Sequence, residues 1–314
     1  MARKKKGTPI HGWINLNKPV GVTSTQALGI VKRALKPQKA GHGGTLDPLA
    51  SGVLPICLGE ATKTVNFAMD AMKTYNFTVT WGEQRSTDDA EGDILKSSDT
   101  RPALADIDAI LTEFIGDIEQ TPPQFSAVKV DGERAYDIAR DGDIADIKSR
   151  AVYIESLGVT EHKGETTRFS CTCGKGTYIR SLARDMGEKL GCFGYISALE
   201  RASVGPLRLE DAISLDFFRE IVDNGAEVDT QSVILPLQTV LDDIPVLALK
   251  ETEVTTLKNG NPLSFVARPD FERLKQAGID PKAGMTVLAS FEGTPLALAT
   301  VQGPVLKPLR VLNV

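Results

Sequence analysis

Cysteine is scarce in this chain. Cys57, Cys171, Cys173 and Cys192 are the only four among 314 residues, too few and too scattered for a disulfide framework. Histidine is scarcer still, with only His11, His42 and His162. The Cys171–Cys173 pair therefore lacks the two further ligands that a zinc site needs. The pair reads as two thiols on one face of a strand, and no metal is expected. No apolar run approaches the ~20 residues of a membrane helix. The basic start, Ala2-Arg3-Lys4-Lys5-Lys6-Gly7, is followed by no apolar stretch and is not a secretory signal, so a cytoplasmic protein is expected. Positive charge is also short overall, with a formal net charge of −5, whereas RNA binders usually show a basic footprint.

The rest of the composition is that of a folded chain. Hydrophobic residues make up 41% and charged residues 25%, which excludes a disordered polymer. The length fits one large or two unequal domains. The charge is unevenly spread. Residues 1–64 hold ten Lys/Arg against Asp47 and Glu60, a net of +8. Residues 81–120 hold three basic against eleven acidic side chains, a net of −8. Such a dipolar chain can present one phosphate-facing side despite its acidic total.

Local patterning places the elements. Trp13 to Asn17 reads as a strand entering the turn Lys18-Pro19-Val20-Gly21. Thr23 and Gln26 form a capping box for a helix carrying Ala27, Leu28, Ile30, Val31, Ala34 and Leu35, stopped by Pro37. Lys39 to Pro48 is a glycine-rich loop, followed by the apolar stretch Ala50–Gly59 and a helical segment Glu60–Met69. Tyr75 to Trp81 alternates strictly and predicts a strand, then an acidic loop spans Ser86–Asp99. An amphipathic helix is expected over Asp106–Ile115, ended by Gly116. Strands are expected at Phe125–Val130 before the turn Asp131-Gly132, and at Ala151–Thr160, Thr167–Cys173 and Gly194–Leu199, with a helix over Thr177–Leu190 capped by Gly191. Strands and helices mix without βαβ alternation, which predicts an α+β fold on a mixed, largely antiparallel sheet. From about residue 231 short apolar runs with Gly and Pro punctuation predict a small β-rich appended domain. The expected division is therefore 9–230 and 231–314.

Asp47 sits at the end of Gly43-Gly44-Thr45-Leu46, before Pro48. Proline fixes its own φ and biases Asp47 toward extended geometry. A carboxylate held in that way serves as a nucleophile or base, although by spacing alone a loop Asp before Pro is more often a turn former. The run Gly41-His42-Gly43-Gly44-Thr45-Leu46-Asp47-Pro48-Leu49-Ala50-Ser51-Gly52-Val53-Leu54-Pro55 resembles the signature of the TruB-type tRNA pseudouridine-55 synthases. Four further stretches resemble that family's motifs in the same order: Asn15 to Ser24, Lys73-Thr74-Tyr75, Pro122 to Lys129, and Gly176 to Leu182. Together they span about residues 11–206.

The resemblance implies a pseudouridine synthase fold with a PUA-like C-terminal domain, hinted at by Asn259-Gly260-Asn261-Pro262. It implies an isomerase that detaches uracil from C1′, rotates it and rejoins it through C5, with no cofactor. Asp47 is implied as the central catalytic carboxylate and Arg180 as the partner that keeps it ionised and oriented. Tyr75 is implied to stack on the base, with Leu199 as an apolar wall and Tyr178 beside Arg180 in the arginine motif as a binding residue. His42 is implied to enter the RNA loop, since chemistry on C1′ and C5 needs the nucleotide out of its stack. Lys18 and Lys39 are implied to touch phosphates or support the motif loops, and Asp89 lies in a loop resembling one that contacts the T-loop. The chain departs from the pattern at Gly43, where a hydroxyl residue is commoner. It departs again at Glu200, where a second basic residue is usual, so a phosphate contact there lacks its cation. The implied partner is tRNA, gripped at the T-arm, with no membrane and no obligatory protein partner. The alternative is a non-catalytic tRNA-binding or folding chaperone of the same fold, a reading weakened by the joint presence of Asp47, Tyr75 and Arg180. A guide-RNA-dependent relative would need partner proteins, and a glycosidase would want a second carboxylate where the motifs supply Arg180.

Overall fold

The structure is a computed structural model that describes residues 7–126, 128–130 and 132–314. The basic run 3–6, Ala127 of the Pro122–Lys129 motif and Asp131 of the expected turn lie outside the described residues.

A ten-stranded sheet organises most of the chain. Its main path runs Ile213–Ser214, Gly12–Lys18, Ala50–Leu58, Gly194–Val204, Lys73–Trp81, Thr166–Cys173, Arg150–His162 and Gly116–Gln120. Among the described residues, two strand pairings of this sheet are parallel, Gly12–Lys18 with Ile213–Ser214 and Ala50–Leu58 with Gly194–Val204. The sheet is thus mixed and largely antiparallel, as expected. Alternation explains the strand Lys73–Trp81: Phe77, Val79 and Trp81 are buried while Asn76 is exposed. Phe77 stacks on Phe169 of the next strand at 5.2 Å between centroids. The Trp81 indole N–H donates to Thr167 at 2.8 Å, so its one polar atom is satisfied inside the core.

Helices cover the sheet through their apolar stripes. In Ser24–Leu35 both capping-box bonds form between Thr23 and Gln26. Ala27, Val31 and Leu35 turn inward beside Phe218 and Ile221 of the helix Leu215–Asn224. Ile179–Lys189 lays Leu182, Ala183 and Met186 into the same core. None of the described helices is long and apolar enough to cross a membrane.

Several local expectations are corrected. Glu60–Met69 is not one helix. It divides into a 3-10 turn, Gly59–Lys63, and a short α-helix, Val65–Asp70, because the Thr64 hydroxyl bonds back to the Ala61 carbonyl and ends the first turn. The helix expected at Asp106 starts at Leu104 and tightens into a 3-10 turn at Thr112–Phe114. The acidic segment hides a two-stranded ribbon, Glu83–Arg85 with Ile94–Ser97. The strand expected over Phe125–Val130 reduces to Lys129–Val130 paired with Glu133–Arg134. Gly194–Leu199 extends five residues further, to Val204.

The C-terminal part forms its own five-stranded sheet, ordered Val246–Ala248, Met285–Phe291, Thr294–Gln302, Val305–Val311, Leu263–Ser264. Two helices, Glu251–Lys258 and Arg268–Gln276, join it. The Asn259-Gly260-Asn261-Pro262 stretch is the turn that ends the first of them, with Gly260 at φ +80°. A third apolar cluster sews the two sheets together. Trp13, Val53 and Cys57 of the large sheet meet Leu237, Val240 and Leu241, and these meet Leu288, Leu298 and Leu312 of the small one.

Candidate active site

The loop 39–49 is fixed from both sides. The Ser24 side chain, at the start of its helix, donates to the Leu46 carbonyl (3.0 Å) and accepts from the Leu46 N–H (2.8 Å). The Gly21 N–H donates to Pro48 O, and the Ala50 N–H to Asp47 O. Two glycines are required here. Gly44 lies at φ +102°, a region that L side chains rarely adopt. Gly52 lies at φ +103°, and a Cβ there would come within 2.3 Å of the Arg201 carbonyl of the adjacent strand. The loop therefore delivers Asp47 where the parallel strand pair begins.

Asp47 lines a cavity of about 1080 Å³. Its carboxylate, 36% exposed, meets the Arg180 guanidinium at 2.9 Å. Arg180 stands in the first turn of Ile179–Lys189 and is buried. It also donates to the Thr87 and Phe125 carbonyls at 2.9 and 3.0 Å, and faces Asp89 at 3.5 Å. The fork is thus held by three further acceptors, and of its two carboxylate partners Asp47 is the exposed one, at 36% against 4% for Asp89. Charge-assisted bonds of this kind orient as well as attract.

Tyr75 and Leu199 line the same cavity from neighbouring strands, and Tyr178 does so from the N-cap of the Arg180 helix. Burial pushes the Tyr75 phenol pKa up, while the neighbouring Arg201 cation acts against that shift. The Tyr178 ring lies under the Arg150 guanidinium at 5.2 Å. Arg140, Arg150 and Lys175 also line the cavity, giving a basic rim beside the acidic centre.

Of the remaining sequence-implied residues Asp89 also lines the cavity, whereas Lys18, His42 and Lys39 fall outside its lining. Asp89 is buried, and its carboxylate accepts from Thr87 and the Glu91 N–H besides facing Arg180. Lys18 is fully buried; its ammonium donates to the Pro19 and Val22 carbonyls at 2.9 and 2.7 Å, and burial pushes its pKa down to about 8 despite Asp47 nearby. Of the two options for Lys18, support of the motif loop is the one this geometry fits. His42 closes the short strand Ala40–His42 outside the cavity lining. Burial, with a contribution from Arg201, pushes its pKa down, and its Nδ1 is buried without a hydrogen-bond partner among the described residues. Lys39 is exposed and likewise outside the cavity.

Sequence reasoning missed three features. Arg201 is buried and lines the cavity. Lys73 is buried and donates to the Met69 and Ala71 carbonyls, and burial pushes its pKa down to about 8. Arg184 pairs with Asp88 at 2.9 Å, and there burial outweighs the attraction and pushes Asp88 up to about 6. For the first two a signal existed. Lys73 is two residues from Tyr75 and Arg201 two from Leu199, so strand alternation puts each on the face of a recognised residue.

Known proteins share this sequence and fold. The TruB family pseudouridylate synthase N-terminal domain matches residues 32–179, and the tRNA pseudouridylate synthase B C-terminal domain matches residues 180–242. The tRNA pseudouridine synthase B of Rhodopseudomonas palustris is 48% identical over 97% of this chain and 81% of its own. That of Rhodospirillum rubrum is 44% identical over 100% of both. Among solved structures, a chain of a Cbf5–Nop10–Gar1 complex superimposes with a TM-score of 0.70 at 26% identity, covering 96% of this chain and 84% of that one. The fold, the Asp47–Arg180 pair in its cavity and near-complete alignment with these relatives together place the chain in the TruB family of tRNA pseudouridine synthases.

Proposed function

We propose that the enzyme isomerises uridine 55 of the tRNA T-loop to pseudouridine, with Asp47 as the carboxylate that makes the glycosidic bond labile. The N1–C1′ bond breaks, the uracil turns, and a C5–C1′ bond forms. The C5 proton is released and N1 ends protonated, so atoms balance with no external reagent. The observation that carries this reading is the Asp47 carboxylate, open to the cavity and oriented at 2.9 Å by a buried Arg180.

The other residues take supporting parts. Leu199 and Tyr75 offer an apolar and an aromatic wall for a base flipped out of its stack. Tyr75 also stands ready to move the C5 proton. His42, kept neutral near pH 7 by burial, enters the RNA loop from the far side of the motif. The rim cations Arg140, Arg150 and Lys175 receive phosphates, which reconciles an acidic chain with an RNA substrate. Lys18 and Asp89 hold the loop and Arg180 in place. The 231–314 segment acts as a PUA-like module gripping the acceptor-stem side. The protein acts in the cytoplasm and without a protein partner.

The test uses the purified protein alone and a tRNA transcript carrying tritium at uridine C5. Release from the T-loop uridine, abolished by Asp47→Asn while tRNA binding persists, is the expected result. Tight tRNA binding with no release would overturn the stand-alone enzyme.

A further inference from the structure

We infer that Arg201 is a positioning residue that ties Tyr75 to the Asp47 loop, so that the aromatic wall and the carboxylate move as one unit. The inference rests on the isomerase reading and names a residue outside the Asp47, Arg180 and Tyr75 set.

The guanidinium of Arg201 is buried at 2% exposure. It spends its donors on backbone of the catalytic loop and the strand that follows it. Nε donates to Val53 O at 2.7 Å, and the terminal nitrogens donate to Gly44 O at 3.2 Å and Thr45 O at 3.4 Å. Gly44 and Thr45 lie within three residues of Asp47. Among the described residues Arg201 has no carboxylate within ion-pair distance, so its charge is met by carbonyl dipoles alone. An uncompensated buried cation is costly to keep, and this one stands in the cavity wall.

Arg201 is also the direct cross-strand partner of Tyr75 in the register of Gly194–Val204 with Lys73–Trp81. Leu199 stands opposite Phe77 in the same ladder, so both cavity-lining strands share one face. The Arg201 cation acts on the Tyr75 phenol, and on His42, Lys18 and Lys73. One side chain thus bonds the loop before Asp47 and the strand after it, and stands opposite Tyr75 across the ladder. Lysine cannot replace it: a single ammonium lacks the planar fork that spans three carbonyls on two segments.

The experiment compares wild type, Arg201→Lys, Tyr75→Phe and the double variant in single-turnover tritium release. Arg201→Lys is expected to lower the rate constant about 10²-fold, the scale of an ångström-sized misplacement, with the enzyme concentration for half-maximal rate unchanged. Its loss is expected to shrink in the Tyr75→Phe background, since coupled residues are not additive. The ¹³Cζ resonance of Tyr75 is expected to shift in Arg201→Lys without substrate present. Should Arg201→Lys fail to fold, Tyr75→Phe alone provides the readout, through a shift of the Arg201 side-chain ¹⁵Nε resonance. Unchanged rate, or fully multiplicative losses with unmoved Tyr75 and Arg201 resonances, would overturn the inference. A wild-type protein that releases no tritium would instead overturn the isomerase reading, while the resonances still decide the Arg201–Tyr75 link.

Discussion

Replacing Arg180 with methionine separates the stability role of this buried cation from its catalytic one. The guanidinium faces Asp47 at 2.9 Å and Asp89 at 3.5 Å and bonds the Thr87 and Phe125 carbonyls. The two carboxylates suffer differently when it goes. Asp47 is 36% exposed and is solvated at little cost, whereas Asp89, at 4% side-chain exposure, is left as a buried charge. Stranding one member of a buried pair costs about 3–5 kcal/mol, and the two orphaned carbonyls act in the same direction. Arg180→Met should therefore destabilise the fold by about 3–5 kcal/mol in urea unfolding followed by fluorescence of the buried Trp13 and Trp81. Adding Asp89→Asn removes the stranded charge while its Oδ1 keeps the Thr87 and Glu91 contacts. The double variant should regain more than half of the lost stability and yet release no more tritium than the single one, because Asp47 still lacks its orienting partner. A single variant within about 1 kcal/mol of wild type, or a double variant no more stable than the single, would refute this account of Arg180.

Three further outcomes follow from the geometry. Lys18→Met should destabilise the protein by about 1–3 kcal/mol through the lost Pro19 and Val22 bonds, while the salt dependence of tRNA binding keeps its slope; a slope reduced by about one would reveal a phosphate contact instead. Neutralising Arg150 or Lys175 at the rim should reduce that slope, measured by filter binding across salt concentrations, and leave the single-turnover rate at saturating enzyme nearly unchanged. Asp88 has a folded pKa raised to about 6 from 3.8, so the folded state holds its proton longer than the unfolded chain. Its contribution to stability is present below about pH 4 and is lost as pH rises through 6. Asp88→Asn should remove that component, and a wild-type-minus-variant stability difference constant between pH 4 and 7 would contradict it.

Where local chemistry decides the structure, the sequence could be read directly. Thr23 and Gln26 cap their helix because the two bonds need only residues three apart, and Tyr75–Trp81 alternates because one face is buried. Where a distant contact decides, it could not. The ribbon Glu83–Arg85 with Ile94–Ser97 is masked by acidic composition, and its loop is pinned by backbone bonds between Asp88, Ala90 and Ile196. In the sequence Lys18 is as readily a phosphate contact as a loop support, until the Pro19 and Val22 carbonyls are seen to enclose its ammonium. Asp47, Tyr75, Arg180 and Leu199 converge on one cavity as the motifs implied. Arg201, which joins three of the converging segments, carries no local signature beyond its position two residues from Leu199.

The seam between the two sheets bears on the order in which the protein is made. Trp13, fully buried, donates its indole N–H to Leu237 O and packs in the cluster that holds Leu312. Nearby, the Lys63 ammonium and the Glu60 carboxylate bond the backbone of Val311 and Asn313. Chains emerge from the ribosome N-terminus first. Trp13 thus stays without its full cover until residues 311–313 have followed, and the nascent chain carries an uncovered apolar edge while the residues between them are made.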